Sequence, residues 1–163
     1  EFYVNNNTLI PRPDTEIIIE QILKVTKNKN YLKILDIGVG SGCILLSILR
    51  ERKNFYGSGV DISKNSLEIS SLNAKKLFVD ERVKFYKSDV DKFKQGKYDL
   101  IVSNPPYIKK SDLKYLESDV STFEPKLALD GGLDGLSVIR KVIKKSSEPV
   151  SYTHLTLPTT PYV

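Results

Sequence analysis

The chain contains no methionine, no tryptophan, one cysteine and one histidine in 163 residues. A single cysteine excludes an internal disulfide and the thiolate clusters that hold structural zinc. That residue, Cys43, follows a glycine-rich segment at an expected helix start, a setting that predicts a small buried apolar residue rather than a nucleophile. The only histidine, His154, stands in the C-terminal stretch, so the body of the chain has neither a histidine base nor a histidine metal ligand, and no metal is expected. No apolar run approaches the ~20 residues of a bilayer-spanning helix. There is no signal-peptide pattern and no internal repeat, and with one cysteine the expected setting is a reducing cytoplasm without membrane attachment. The chain starts at Glu1 and has no initiator, which points to a piece of a longer protein.

Hydrophobic residues make up 40% of the chain, enough for one core, and 163 residues correspond to about one domain. The net charge is +5 and the pI is about 9.1. The lysines are dispersed among acids, for example Lys24, Lys27 and Lys29, or Lys144 and Lys145, whereas a nucleic-acid footprint needs clustering on one surface. Direct nucleic-acid binding is therefore not expected. Composition changes after Pro149. Val150 to Val163 (VSYTHLTLPTTPYV) has no charged residue, and Val150 to Thr159 resembles a translated sequencing adaptor. Residues 1–149 are read as an incomplete catalytic domain and 150–163 as a non-native tail with no strand pattern.

Strand and helix patterns alternate, which predicts a parallel sheet covered on both faces. Pro13, Asp14 and Glu16 suit a helix start, with Ile18, Ile19, Ile22 and Leu23 on its apolar face. Strands are expected at about Lys33 to Ile37, Tyr56 to Val60, Arg82 to Tyr86 and Tyr98 to Val102. Helices are expected from about Gly42 to Glu51, from Ser63 or Asn65 onward carrying Leu67, Ile69, Leu72 and Leu77, and from Leu136 to Lys145. A short helix is expected near Ser111 to Leu116.

Two motifs carry chemistry. Gly38-Val39-Gly40-Ser41-Gly42 joins the first strand to its helix as GxGxG. The dinucleotide fingerprint GxGxxG would need a glycine where Cys43 stands, which favours a nucleoside over a pyrophosphate ligand and argues against a nicotinamide oxidoreductase. Asp61, at the end of the second strand, is placed to accept ribose hydroxyls, and Asp89, after the third, to meet the edge of adenine. The second motif is Asn104-Pro105-Pro106-Tyr107, directly after an apolar strand. A strand that stops at an Asn and two prolines leaves an amide and unpaired carbonyls at the carboxyl end of a sheet, where open α/β folds bind ligands. Such a pocket suits a planar NH2 group.

The series IPRPDTE (Ile10 to Glu16), LDIGVGSG (Leu35 to Gly42), VSNPPYI (Val102 to Ile108) and EPKLALDGGLDGL (Glu124 to Leu136) resembles the HemK/PrmC family of release-factor glutamine N5-methyltransferases, over essentially all of residues 1–149. The resemblance implies a class I S-adenosylmethionine-dependent methyltransferase fold, Rossmann-like and doubly wound, C-terminally truncated here. It implies S-adenosyl-L-methionine as cofactor, held by Gly38 to Gly42, Asp61, Asp89, Val90 and Asn104. Val90 stands where family members often carry an aromatic. The implied substrate is the glutamine of the Gly-Gly-Gln loop of a class-1 peptide-chain release factor, its amide held by Asn104, Pro105, Pro106 and Tyr107. Asn104, Pro105 and Tyr107 are the implied catalytic residues. The family's N-terminal helical domain is not in this sequence.

Other readings share parts of this pattern. A ribosomal-protein glutamine methyltransferase is a near relative, although Pro13-Asp14 and Gly131-Gly132 lean toward the release-factor enzyme. An adenine-N6 methyltransferase presents the same donor geometry, but no target-recognition insert or dense basic stripe is present. From another class, the chain could serve as a non-catalytic nucleoside-binding module.

Overall fold

The computed structural model describes residues 1–6, 8, 13–116, 125–147 and 154–156. Helix α1 spans Pro13–Val25, β1 Lys33–Ile37, α2 Cys43–Glu51, β2 Tyr56–Asp61, α3 Lys64–Lys76, β3 Val83–Lys87 and β4 Leu100–Ser103. A short α4 at Lys126–Leu129, α5 at Ser137–Ser146 and a three-residue β5 at His154–Thr156 follow. All pairings are parallel, in the order β3-β2-β1-β4-β5. The chain therefore builds outward from β1 to β3, then crosses back to place β4 on the other side of β1. At that reversal the connections leave β1 and β4 in opposite directions, so a crevice opens above their carboxyl ends.

The alternation of side chains along β1 and β4 divides the core in two. Ile34, Leu100 and Val102 face α1, α2 and α3, where they pack with Ile22, Leu45, Leu49 and Leu67. Leu35, Ile37 and Ile101 face the opposite layer, formed by Val90, Phe93, Tyr98 and Val142 of α5. The central strands β1 and β4 are buried at nearly every position, whereas β3 is half exposed, as befits its place at the sheet margin.

Most expected elements are present, and the differences have local causes. The fourth strand starts at Leu100 rather than Tyr98, because Asp99 is taken up with Lys33: its backbone N–H donates to the Lys33 carbonyl and its carboxylate accepts the Lys33 N–H, each at 2.8 Å. Tyr98 instead plugs the second core beside Phe93. Leu72 of α3 is 54% exposed, and the buried face of the helix includes the polar residues Ser66, Ser70 and Asn73. The expected helix near Ser111 to Leu116 is a single 3₁₀ turn, Leu113–Tyr115, and α4 had no counterpart in the sequence reading. The tail was read as lacking a strand, yet β5 pairs with β4 in register, Leu100 opposite His154 and Val102 opposite Thr156. Three residues of extended backbone need only open edge donors and acceptors, not an alternating hydrophobic pattern, which explains why the sequence carried no sign of it. Residues 9–12 and 117–124, which carry parts of two quoted motifs, lie outside the described residues. No described helix is long and apolar enough to cross a membrane.

Arg82 fastens the end of α2 to the start of β3. Its guanidinium donates to the carbonyls of Leu49 at 2.7 Å, Arg52 at 2.9 Å and Phe55 at 3.0 Å. These include carbonyls that a helix terminus leaves without intrahelical partners. Arg82→Ala should lower unfolding stability by about 2 kcal/mol, since several charge-assisted bonds are lost together. A urea midpoint equal to that of the parent protein would contradict this role.

Candidate active site

A cleft of about 250 Å³ opens above the carboxyl ends of β1, β2, β3 and β4. Its floor is the turn between β1 and α2. Gly38, Gly40 and Gly42 all have positive φ, of 75°, 55° and 81°. At Gly42 the requirement is also steric, because a Cβ would stand 2.6 Å from Leu46 Cδ1; at Gly38 a Cβ would meet nothing within 4 Å, so the backbone there faces open space. The turn thus presents bare peptide groups where a ligand can approach closely.

The turn is held from several sides. The N–H groups of Gly38 and Val39 both donate to the Val60 carbonyl, at 2.8 and 3.1 Å. Asp61 accepts from Gly40 N at 3.0 Å on one carboxylate oxygen and from Ser63 N at 2.9 Å on the other. From α3, Ser70 Oγ donates to the Gly40 carbonyl at 2.7 Å and Asn73 Nδ2 to the Ser41 carbonyl at 2.9 Å. Asn73 also pairs with both backbone groups of Tyr3, which ties the N-terminal segment over the same turn. Across the switch point, Ser103 Oγ donates to the Ile37 carbonyl at 2.7 Å, locking the ends of β4 and β1 together.

Of the residues singled out from the sequence, the cleft brings together Gly38, Val39, Gly40, Ser41, Asp61, Asp89, Val90, Asn104 and Pro106. Gly42, Pro105 and Tyr107 do not line it. Gly42 sits below as the residue that starts α2, and Pro105 is buried between Asn104 and Pro106, which both line the cleft. Tyr107 is 37% exposed at the rim, its backbone packed against Gly131 and Gly135. Those glycines belong to a segment pinned beside the Asn-Pro-Pro-Tyr loop: Ile108 N–H donates to the Leu129 carbonyl at 3.2 Å, and Gly131 N–H to the Ile108 carbonyl at 2.8 Å. The Asn104 side chain has no hydrogen-bond partner among the described residues and borders the cleft, so its amide is available to a ligand.

Asp36 was not recognised in the sequence. It lies on the α2 face of β1, almost fully buried, and borders the cleft. Burial pushes its carboxyl up to about 7; the backbone N–H of Leu45, in the first turn of α2, opposes that rise and the nearby Asp61 charge adds to it. Burial also raises Asp61, against hydrogen bonds from the N–H groups of Ser63, Gly40 and Ile62. An aspartate between Leu35 and Ile37 in an apolar strand is the signal that was available, since the interior of a parallel sheet rarely tolerates a carboxylate without a purpose. Likewise Ser66, Ser70 and Asn73 form an i, i+4, i+7 polar stripe on the buried face of α3. Cys43 borders the cleft, but burial pushes its thiol up to about 11, so it is a thiol and not a thiolate at neutral pH. No group of three or more His, Cys, Asp or Glu among the described residues could hold a metal ion.

The Asp36 shift has a definite sign for stability. Its folded-state value of about 7 stands above the ordinary 3.8, so the contribution is fully present at low pH and is lost as pH rises through 7. In the absence of ligand, stability should fall by on the order of 4 kcal/mol between about pH 4 and pH 8 from this group alone. Asp36→Asn should flatten that slope and leave the unliganded protein more stable than its parent at about pH 8. Urea titrations of parent and variant at both pH values measure it, and equal slopes would refute the assignment.

Residues 14–129 match the family described as Methyltransferase small domain. A release factor glutamine methyltransferase of Clostridium acetobutylicum is 39% identical over 151 residues, covering 91% of this chain and 53% of the relative. Another, of Rhodospirillum rubrum, is 45% identical over 134 residues, 82% of this chain and 41% of the relative. The chain spans about half the length of the curated relatives it matches. Among solved structures, YjhP from E. coli superposes with a TM-score of 0.52 at 29% identity, over 61% of this chain and 40% of that one. The catalytic domain of hMettl16, crystallised with the MAT2A 3′UTR hairpin 6, gives a TM-score of 0.74 over 96% of this chain and 60% of that one, at 14% identity, a likeness of fold alone. The sheet order, the glycine turn and the cleft above it are those of the class I S-adenosylmethionine-dependent methyltransferase fold. With the family match spanning α1 to α4, the chain belongs to the methyltransferase small-domain family, in its HemK/PrmC branch.

Proposed function

We propose that this chain is the catalytic portion of an enzyme that transfers a methyl group from S-adenosyl-L-methionine to the side-chain amide nitrogen of the glutamine in the Gly-Gly-Gln loop of a class-1 peptide-chain release factor. The observation that carries the reading is Asn104: an amide directly after β4, in the same cleft as the Gly38 turn and Asp61. The relatives named release factor glutamine methyltransferase support the substrate class. Residues 1–149 are proposed as the catalytic unit, acting in the cytoplasm on a protein partner.

The donor set fits an adenosyl cofactor. The Asp61 oxygens accept backbone N–H groups from Gly40 and Ser63 and keep lone-pair capacity for ribose hydroxyls. Gly38 and Gly40 leave room for the ligand against the backbone, Asp89 and Val90 border the expected adenine end, and the acidic walls suit a group of positive charge. Bound there, the cofactor supplies a methyl group made electrophilic by its sulfonium.

The protein's own task follows from the poor nucleophilicity of an amide nitrogen, whose lone pair is delocalised into the carbonyl. Asn104 Oδ1 is proposed to accept one N–H of the glutamine amide and the backbone carbonyl of Pro105 the other. Acceptors on both hydrogens fix the nitrogen and favour positive charge developing on it. Pro105 and Pro106 stiffen the loop, and Tyr107 at the rim is proposed to guide the planar amide inward. Aligning two bound reactants supplies roughly 7–11 kcal/mol in favourable cases, so the step requires no histidine base.

Side-by-side transfer of labelled methyl to a release factor, a ribosomal protein and DNA tests the substrate assignment; label on ribosomal protein or DNA alone would overturn it. Asn104→Ala should reduce turnover on release factor by on the order of 10²-fold while cofactor affinity changes only a few-fold, because its oxygen acts on the nitrogen as charge develops. Near-normal turnover in that variant would exclude the amide-holding role.

A further inference from the structure

Helix α5 brings one cation to the cleft. Among the described residues that border it, Lys141 is the only Lys or Arg, against Asp36, Asp61, Asp89 and Asp130. Its ammonium does not point at an arbitrary acid. Lys141 Nζ lies 2.9 Å from Asp91 Oδ2 and 3.6 Å from Asp89 Oδ1, and the same Asp89 oxygen accepts the Asp91 N–H at 3.0 Å. One carboxylate oxygen of Asp89 is thus committed to this network, which leaves the other for a ligand. The helix that carries Lys141 is itself anchored: Val142, the next residue, is fully buried against the second core, and Val138, one turn earlier, borders the cleft. Pairs this exposed, at 41–48% of the side chain, add little to fold stability. Their geometric effect is larger, since without the ammonium Asp89 and Asp91 would stand as unpaired like charges and only the Asp91 N–H would restrain the Asp89 carboxylate.

We propose that Lys141 is a positioning residue for the nucleoside end of the cleft: by holding Asp89 against α5, it makes binding selective for a purine that offers a six-amino donor over one that offers a six-oxo acceptor. The inference rests on the reading that Asp89 meets the adenine edge. A carboxylate fixed at that edge accepts from an amino group and repels a carbonyl oxygen. A carboxylate that turns away does neither, so discrimination falls mainly through weaker binding of the amino ligand.

The test is calorimetric binding of S-adenosylhomocysteine and its six-oxo counterpart S-inosylhomocysteine to the full-length protein, to Lys141→Met and Lys141→Arg, and to Asp89→Asn. The parent should prefer the amino ligand by at least tenfold. Lys141→Met should lose at least five-fold of that preference, Lys141→Arg should keep it, and Asp89→Asn should abolish it, with melting temperatures confirming folded protein in each case. A parent with no preference would remove the Asp89 reading and the proposal with it. A discriminating parent whose Lys141→Met variant keeps the full ratio, or loses affinity for both ligands equally, would overturn the proposal for Lys141 alone and leave the Asp89 reading standing.

Discussion

The bond on which the site depends most is the one from Gly40 N–H to Asp61. Through it the end of β2 grips the turn that follows β1, while the same carboxylate accepts the Ser63 N–H at the start of α3. A turn made of residues at positive φ has little stiffness of its own, and glycine costs more backbone entropy to order than any other residue. Order must be imposed by neighbours. The Val60 carbonyl, Asp61, Ser70 and Asn73 impose it, and each bond joins the turn to an element distant in sequence.

The cleft is also a place where charge is held at a cost. Asp36 is buried, with the first turn of α2 as its main compensation among the described residues, and Asp61 stands close enough to raise it further. Structures retain such arrangements where a ligand is to supply the missing charge. Under the proposed reading the cofactor brings that positive charge, so the acids that weaken the empty fold are the ones that favour the filled one. Lys141 tempers the acidity at the opposite end of the cleft, where an uncharged purine is proposed to lie.

Much of this was legible in the residue string. The strands Lys33–Ile37 and Tyr56–Asp61 are dense apolar or small-residue runs bounded by polar ones, and the helix at Cys43–Glu51 follows its glycine turn with a clear apolar face. Asp61, Asp89 and Asn104 fall at strand ends, which the alternation of elements places along one edge. Less legible were features defined by contact. Asp36 read as part of a motif and not as a buried acid. Ser70 and Asn73 were not singled out, because polarity usually marks the outside of a helix, whereas here their groups are satisfied by the backbone of the turn. The strand at His154–Thr156 carries no pattern at all, since it answers to the open edge of β4 and not to its own composition.

The residue sequence alone determined the class of fold, the glycine turn, the strand-end acids and the Asn-Pro-Pro-Tyr loop, because periodicity, glycine and proline act locally and leave their mark in the order of residues. Tertiary structure alone decided which of these meet. Reversal of strand order between β1 and β4 put Asn104 beside the glycine turn, packing of α5 on the second core carried Lys141 to Asp89, and Pro105 and Tyr107 were left outside the cleft although they neighbour Asn104 in sequence. The physical reason is that proximity across a sheet is set by which edge a returning strand takes and how its helix packs, and that choice rests on long-range burial which no window of neighbouring residues contains.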